Sequence, residues 1–383
     1  GAAAVGKGWS VYLETVLGYI FGPDVKTTAD IFGLTVDWGA LLLVLFLALL
    51  LTLGTKLSSR VSLVITGIKV AIVLFVIFYG LSFIKGENYT PFVPDAATSA
   101  ATSSTGVEQS LFSLIAGGST SAYGVFGLLA AASLVFFAFI GFDVVATTAE
   151  ETRNPQRAVP RGILGSLAIV TVLYVAVSLV VVGMVPYQEL ATNDEGRKTL
   201  ASAFAFNGVD WAANVISIGA LAGLTTVVMV LMLGQIRVLF AMSRDGLLPR
   251  SLAKTGKHGT PGRATIFVAV MVGIAATFFE ADKLEEMVNV GTLFAFILVS
   301  GGVLILRKTR PDLPRGFKVP WVPVIPILAI LACLWLMLNL TVLTWLRFGA
   351  WMVLGVIVYF AYSRRHSLLG KRTKKADAED RVS

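Results

Sequence analysis

Long uninterrupted apolar runs limit the folds that this chain can adopt. Ten stretches of about 14 to 32 residues carry few charged residues and are separated by polar breaks. An α-helix needs about 20 apolar residues to cross roughly 30 Å of hydrocarbon, so the pattern predicts an all-α, polytopic membrane protein. The predicted membrane segments are approximately 1–21, 38–53, 61–83, 123–148, 162–185, 211–242, 264–279, 287–306, 322–343 and 349–362.

The composition argues against several other classes of protein. Only 14% of the residues are charged, against about 25% in soluble domains, which is too few for a water-soluble surface. The formal charge of +8 does not indicate a nucleic-acid partner, because the basic residues lie in short loops rather than on one amphipathic face. One cysteine, Cys333, and two histidines, His258 and His366, provide neither a thiolate cluster nor a catalytic dyad. We therefore expect no enzyme, no cofactor and no metal site.

The distribution of Lys and Arg predicts the orientation in the membrane. Cationic loops resist translocation, and 23 of the 31 Lys and Arg residues lie in alternate connections. These are 54–60, 149–161, 237–263, 307–319 and the tail after 363. The C-terminus is therefore expected in the cytoplasm and the loop 86–122 outside. The short loops favour a bacterial plasma membrane.

The sequence also predicts the domain organisation. Residues 1–363 are expected to form one transmembrane domain, followed by a disordered basic tail over 364–383. The stretch 95–110 is rich in small polar residues and is expected to be mobile. Gly1 is not an initiator methionine, and the apolar pattern is already under way at GAAAV, so we expect a chain cut inside a helix.

A glycine and a carboxylate lie close together within the fourth apolar segment, SLVFFAFIGFDVVATTAEETRNPQRAVPRG. A carboxylate at this depth costs about 2.5–3.5 kcal/mol on insertion scales, so Asp143 should face a cavity or a partner. It is a candidate substrate-binding residue; the alternative is a carboxylate that only ties helices together. Gly141 marks either a local loss of helix or close helix packing. A broken helix would expose backbone groups that can bind the ammonium and carboxylate of an amino acid.

Lys69 lies deep in the third apolar segment, SLVITGIKVAIVLFVIF, nine residues after Arg60. At about 1.5 Å per residue this is about 13 Å along a helix, so the side chain hardly reaches the headgroups. Burial disfavours the charged ammonium, which would allow Lys69 to bind and release a proton during a transport cycle. The alternative is a permanently charged tether between helices.

The sixth apolar segment contains LAGLTTVVMVLMLGQIRVLFAMSRDGLLP. Thr225 and Thr226 are followed by Met229, one helical turn after Thr225. Hydroxyls and a thioether at this spacing can line a pocket, and helix packing is the commoner explanation of the same pattern. Thr225 and Met229 are therefore candidate substrate-binding residues.

Three stretches make the chain recognisable: FFAFIGFDVVATTAEETRNPQRAVPRGI, GQIRVLFAMSRDGLLP and RPDLPRGFKVPWVPVIP. Together they resemble the amino acid–polyamine–organocation superfamily, specifically its cationic amino acid transporter branch and the bacterial permeases close to it. The resemblance spans nearly the whole chain. It implies a LeuT-like fold, an inverted repeat of five plus five helices followed by two more, with the substrate between the unwound first and sixth helices. This chain would hold the family's third to twelfth helices.

The resemblance also implies roles for individual residues. Phe137 corresponds to an aromatic gate over the substrate. Ala138, Phe139 and Ile140 fall in the unwound stretch whose carbonyls meet the substrate's amino group, and Asp143 lies next on the pocket side.

Two more roles are implied by the resemblance. Met229 falls near the substrate side chain. Lys69 matches the lysine of the family's fifth helix, which in proton-coupled members resembles a stand-in for the sodium ion of related transporters.

The implied function is secondary active transport of amino acids by alternating access. The expected partners are a small neutral or cationic amino acid, a proton as coupling ion, and membrane lipid, with no nucleic acid. Because half of the carboxylate-binding backbone would belong to a missing helix, the chain by itself is expected not to transport. The alternatives are an amino acid sensor on the same scaffold, and an exchanger or uniporter.

Overall fold

A computed structural model of the protein consists mainly of helices. The structure describes residues 1–22, 25–31, 34–54, 59–94, 106–116, 123–147, 152–190, 198–256, 260–368 and 370. The helices are α1 (Ala2–Phe21), α2 (Trp38–Thr52), α3 (Ser59–Gly80), α4 (Leu111–Ala116), α5 (Gly124–Phe139), α6 (Phe142–Thr147), α7 (Pro155–Met184), α8 (Leu200–Phe206), α9 (Asp210–Arg244), α10 (Gly262–Phe278), α11 (Ala281–Thr309), α12 (Val324–Leu338), α13 (Val342–Val358) and α14 (Arg364–His366). A π-helical turn, Tyr359–Ser363, joins the last two.

Several helices have the length and composition needed to cross a membrane. Within the described residues six such spans are found: Leu63–Phe83, Gly127–Ala146, Pro155–Met184, Asp210–Arg244, Ala281–Thr309 and Val342–His366. Helices α2, α10 and α12 are apolar but shorter. Large apolar side chains on the spans are open to the surroundings; Val172, for example, is 69% exposed and Ile305 is 63% exposed. Such a surface suits hydrocarbon, and the chain is a multi-pass helical membrane protein. The number of ten spans stays a prediction.

The chain divides into two compact units. The first consists of Gly1–Phe78, Leu190–Ala281 and Ala350–Ser383, and the second of Tyr79–Glu189 and Asp282–Gly349. The single domain expected over 1–363 stays a prediction.

In the first unit, a buried carboxylate fixes the start of α2. Asp37 is 5% exposed and accepts hydrogen bonds from the backbone N–H of Ala40 (2.9 Å) and the hydroxyl of Ser10 (2.6 Å). The ammonium of Lys7, on α1, lies 3.6 Å from its second oxygen. A buried charge is tolerated when it is paired and its remaining acceptor sites are used, so Asp37 both caps α2 and ties it to α1.

The connection before α2 adds a short element to the all-α expectation. Strands β1 (Thr28–Ile31) and β2 (Leu34–Asp37) pair antiparallel, with Thr28 opposite Asp37. Just before β1, the backbone N–H and the hydroxyl of Thr27 donate to the carboxylate of Glu14 on α1, at 3.0 and 2.9 Å. The hairpin is therefore tied back to α1.

In the second unit, α11 and α12 share an apolar core. Its buried members are Val290, Leu293, Met337 and Leu340. Polar bonds connect this core to α5: the side-chain amide of Asn289 donates to the Ser133 carbonyl (2.8 Å), and the Ser133 hydroxyl donates to the Leu336 carbonyl (2.9 Å). These bonds supply partners that hydrocarbon cannot.

The turn after α9 holds the first residues of the predicted tail. The Ser363 hydroxyl donates to the Leu247 carbonyl (2.7 Å), and the Leu368 backbone N–H donates to the Asp245 carbonyl (3.1 Å). Gly246 has φ +81°, and a Cβ there would lie 2.4 Å from the backbone oxygen of His366. The rest of the tail, 371–383, and most of the loop 95–110 lie outside the described residues.

Replacing Gly246 by Ala is expected to detach residues 363–368 from this turn. The substitution combines backbone strain, about 1–3 kcal/mol for a side chain in this region, with a clash against a backbone oxygen. Trypsin cleavage after the exposed Arg364 and Arg365 should become severalfold faster. Gly262→Ala is the matched control, because a Cβ at Gly262 meets nothing within 4 Å. Equal cleavage rates in both variants would contradict this account of the turn.

Candidate ion-coupling and substrate sites

Lys69 and Thr226 meet within the first unit. Lys69 lies on α3 with its side chain half-buried, and its ammonium donates to the hydroxyl oxygen of Thr226 on α9. The Thr226 hydroxyl donates its own proton to the carbonyl of Gly223, at 2.8 Å. Because that proton is committed to the backbone of α9, the oxygen lone pairs are left to face Lys69.

Two glycines on α9 make room for α3. A Cβ at Gly219 would lie 2.0 Å from Cδ1 of Ile72, and one at Gly223 would lie 3.6 Å from Cε of Lys69. Glycines four residues apart let helices in membranes approach closely. The stem of Lys69 therefore crosses α9 at Gly223 and reaches Thr226 one turn further on. The spacing is visible in the sequence as GALAG, although it was not among the predicted site features.

The partner of the Lys69 ammonium is a neutral group. Among the side chains that the structure describes, no carboxylate lies within ion-pair distance of Lys69. Unlike a carboxylate, a hydroxyl carries no charge that needs the ammonium to balance it. A deprotonated amine keeps N–H groups that can still donate to the hydroxyl, so the contact is compatible with both protonation states.

A second contact reaches the adjacent residue of α9. The indole N–H of Trp9, on α1, donates to the Thr225 hydroxyl at 2.9 Å and to the Leu221 carbonyl at 3.1 Å. Trp9 was not predicted as a site residue, since a tryptophan in an apolar run gives no signal of its own. Thr225, which was expected to line the substrate pocket, is thus bound to α1. Met229, one turn further on, is half-buried.

The predicted break in the fourth apolar segment is present in the second unit. Helix α5 ends at Phe139 and α6 begins at Phe142. Between them, Ile140 is extended (ψ 134°) and Gly141 has φ +128°. A Cβ at Gly141 would meet no atom within 4 Å, so the glycine serves the backbone conformation and not close helix packing.

Two of the carbonyls at the end of α5 already accept hydrogen bonds. The Phe137 carbonyl accepts from the backbone N–H of Ile140 at 3.1 Å. The Ala138 carbonyl accepts from the hydroxyl of Tyr174, on α7, at 2.6 Å, and the rings of Tyr174 and Phe139 meet edge to face with centroids 5.0 Å apart. Phe137 itself is half-buried. Tyr174, which was not predicted as a site residue, therefore supports the broken end of α5.

The expected site residues fall into two groups. Phe137, Ala138, Phe139, Ile140 and Gly141 belong to the second unit, whereas Lys69, Thr225 and Met229 belong to the first. The backbone of Asp143 lies in α6, but its side chain is outside what the structure describes, so the choice between substrate binding and helix tethering stays open.

Similar proteins are known from several organisms. A branched-chain amino acid permease of Bacillus subtilis is 41% identical over 380 residues, covering 96% of this chain and 74% of that protein. A methylthioribose transporter of the same bacterium is 39% identical, covering 96% of this chain and 74% of that protein. The vacuolar cationic amino acid transporter 4 of Arabidopsis thaliana is 33% identical over 325 residues, covering 82% of this chain and 48% of that protein.

These matches establish the family. Residues 8–362 match the model of the amino acid permease family, and the similar proteins named above are transporters. The predicted superfamily and the prediction that the protein is not an enzyme are both confirmed. The chain belongs to the amino acid permease family.

Proposed function

We propose that the protein is a proton-coupled amino acid transporter of the bacterial plasma membrane. It works by alternating access on a LeuT-like inverted-repeat fold, with its C-terminus in the cytoplasm. The observation that carries the proposal is Lys69, an amine in the apolar part of α3 whose partner is the neutral hydroxyl of Thr226.

The contact with Thr226 suits a proton carrier. If Lys69 were paired with a carboxylate, loss of its proton would leave an unpaired buried charge, which costs several kcal/mol. With a hydroxyl, deprotonation leaves both groups neutral and still hydrogen-bonded. The proton can therefore leave and return in the course of a transport cycle without breaking the contact between α3 and α9.

The break at Ile140–Gly141 is the proposed place for the substrate's amino group. The last carbonyls of a helix carry partial negative charge and lack intrahelical partners, which suits an ammonium. The Ala138 carbonyl is occupied by Tyr174, so we assign the ammonium to the carbonyls of Phe139 and Ile140, with Phe137 as the gate. Asp143 stays a candidate on the pocket side.

We infer that the substrate is a neutral aliphatic amino acid. The side chain of Ile140, next to the proposed ammonium position, is apolar, and one relative is named for branched-chain amino acids. The relative named for methylthioribose makes that thio-sugar the second candidate. In uptake of labelled leucine into liposomes, excess unlabelled valine should compete, whereas arginine and methylthioribose should not. Competition by methylthioribose alone would overturn the amino acid assignment.

Replacing Lys69 by Ala should abolish accumulation of leucine driven by a proton gradient. Without the amine, substrate movement is no longer tied to a proton, so labelled leucine should only equilibrate across the membrane. Exchange of internal for external leucine should persist. The measurement uses liposomes that contain the full-length protein, with an imposed pH gradient.

Lys85→Ala is the matched control, because Lys85 is an exposed lysine in a turn after α3. Gradient-driven accumulation that survives in Lys69→Ala would exclude the coupling role. If the unaltered protein binds leucine without moving it into the liposomes, the sensor alternative replaces the transporter.

Replacing Gly141 by Ala should slow leucine uptake. There is space for the methyl group, so the effect comes only from φ +128°, where a side chain costs about 1–3 kcal/mol. A cost of about 1.4 kcal/mol would lower the population of the broken conformation about tenfold. Gly165→Ala, in α7, is the control, since its Cβ also meets nothing within 4 Å and no positive φ is involved. Equal uptake by the two variants would contradict the role of the break.

A further inference from the structure

Trp9 lies beside the residue that binds Lys69. Its indole N–H is 2.9 Å from the hydroxyl of Thr225, and Thr226 is the next residue on α9. Successive residues of an α-helix point about 100° apart, since there are about 3.6 residues in a turn. The two hydroxyls therefore face different neighbours: Thr225 faces α1 through Trp9, and Thr226 faces α3 through Lys69.

The Leu221 carbonyl is shared among several donors. It accepts from the Thr225 hydroxyl at 2.7 Å and from the Trp9 indole at 3.1 Å. In an α-helix, the backbone N–H of Thr225 also points at this carbonyl. An oxygen with two lone pairs cannot bind three donors at full strength. Hydroxyls that bond back to a helix carbonyl tend to loosen the helix at that turn. The Trp9 indole therefore ties to α1 a turn of α9 that its own backbone bond holds less tightly.

We propose that Trp9 is a positioning residue for proton coupling. By holding Leu221 and Thr225, its indole N–H sets the rotation of this turn of α9 and so keeps the Thr226 hydroxyl directed at Lys69. The proposal rests on the proposed proton-coupled transport and adds to it a residue on a third helix.

A change in nearby charge does not explain an effect of a Trp9 substitution on Lys69. On α1, Lys7 is paired with Asp37 and Glu14 accepts from Thr27. On α3, Arg60 is nine residues from Lys69. On α9, the charged residues Asp210, Arg237 and Arg244 are at least eleven residues from Thr226, about 16 Å along a helix, and Arg263 is at the start of α10. Trp9 carries no charge, so its substitution acts on Lys69 through hydrogen bonds and packing.

The decisive variant is Trp9→Phe, which keeps an aromatic ring and removes the donor. Gradient-driven leucine accumulation should fall about fivefold, the size expected for the loss of one neutral hydrogen bond, and its dependence on external pH should shift. Thr225→Val should cause the same change. Leucine exchange, which needs no proton, should be retained by Trp9→Phe. Trp38→Phe is the matched control, because the Trp38 indole makes a similar bond, to the Lys26 carbonyl at 3.1 Å.

A second readout does not depend on transport. The protein is labelled with 5-fluorotryptophan, and the ¹⁹F resonance of Trp9 is identified by its loss in Trp9→Phe. That resonance should move with pH in the unaltered protein and stay fixed in Lys69→Ala. If the protein does not transport but the Trp9 resonance still moves with pH and stays fixed in Lys69→Ala, the link between Trp9 and Lys69 is supported and the proposed transport function fails.

Two results would overturn the proposal. One is a Trp9 resonance that does not respond to pH, or that responds equally in Lys69→Ala. The other is proton-driven accumulation in Trp9→Phe equal to that in Trp38→Phe, which would leave the transport function in place and remove Trp9 from it.

Discussion

Polar groups inside the membrane helices must find hydrogen-bond partners within the protein, because hydrocarbon offers none. On α9 this need is met locally. The hydroxyls of Ser217, Thr225 and Thr226 donate to the carbonyls of Ala213, Leu221 and Gly223, three or four residues earlier. Once the hydroxyl proton is committed to the helix, the oxygen can only accept. An apolar-looking helix thus presents a row of acceptors to its neighbours.

Two lysines of the first unit differ in the partner that each ammonium faces. Lys7 on α1 faces the carboxylate of Asp37, which also caps α2, whereas Lys69 on α3 faces the hydroxyl of Thr226. Breaking the pair between Lys7 and Asp37 would leave a buried carboxylate without its cation, so that pair favours a fixed contact. Deprotonation of Lys69 leaves no uncompensated charge. The same side chain is therefore a tether in one place and, in our proposal, a proton carrier in the other.

The sequence predicted the elements well and their contacts poorly. Apolar runs located the long helices because spanning length is a local property, and the depth of Lys69 in the membrane stays a prediction. The choice of Thr226 over Thr225 as its partner depends on how α3 and α9 pack, which local pattern does not determine. Trp9 was missed for the same reason, since its partners lie more than 200 residues away. Gly141 allowed two interpretations, and only its φ value separated a helix break from close packing.

In the proposed mechanism each amino acid moves together with a proton, so proton movement can be measured directly. Liposomes containing the protein and a trapped pH-sensitive dye would be exposed to leucine with no initial pH gradient. We expect acidification of the interior that begins with leucine entry, scales with the amount taken up, and is absent in Lys69→Ala. Leucine entry without any change in internal pH would contradict it.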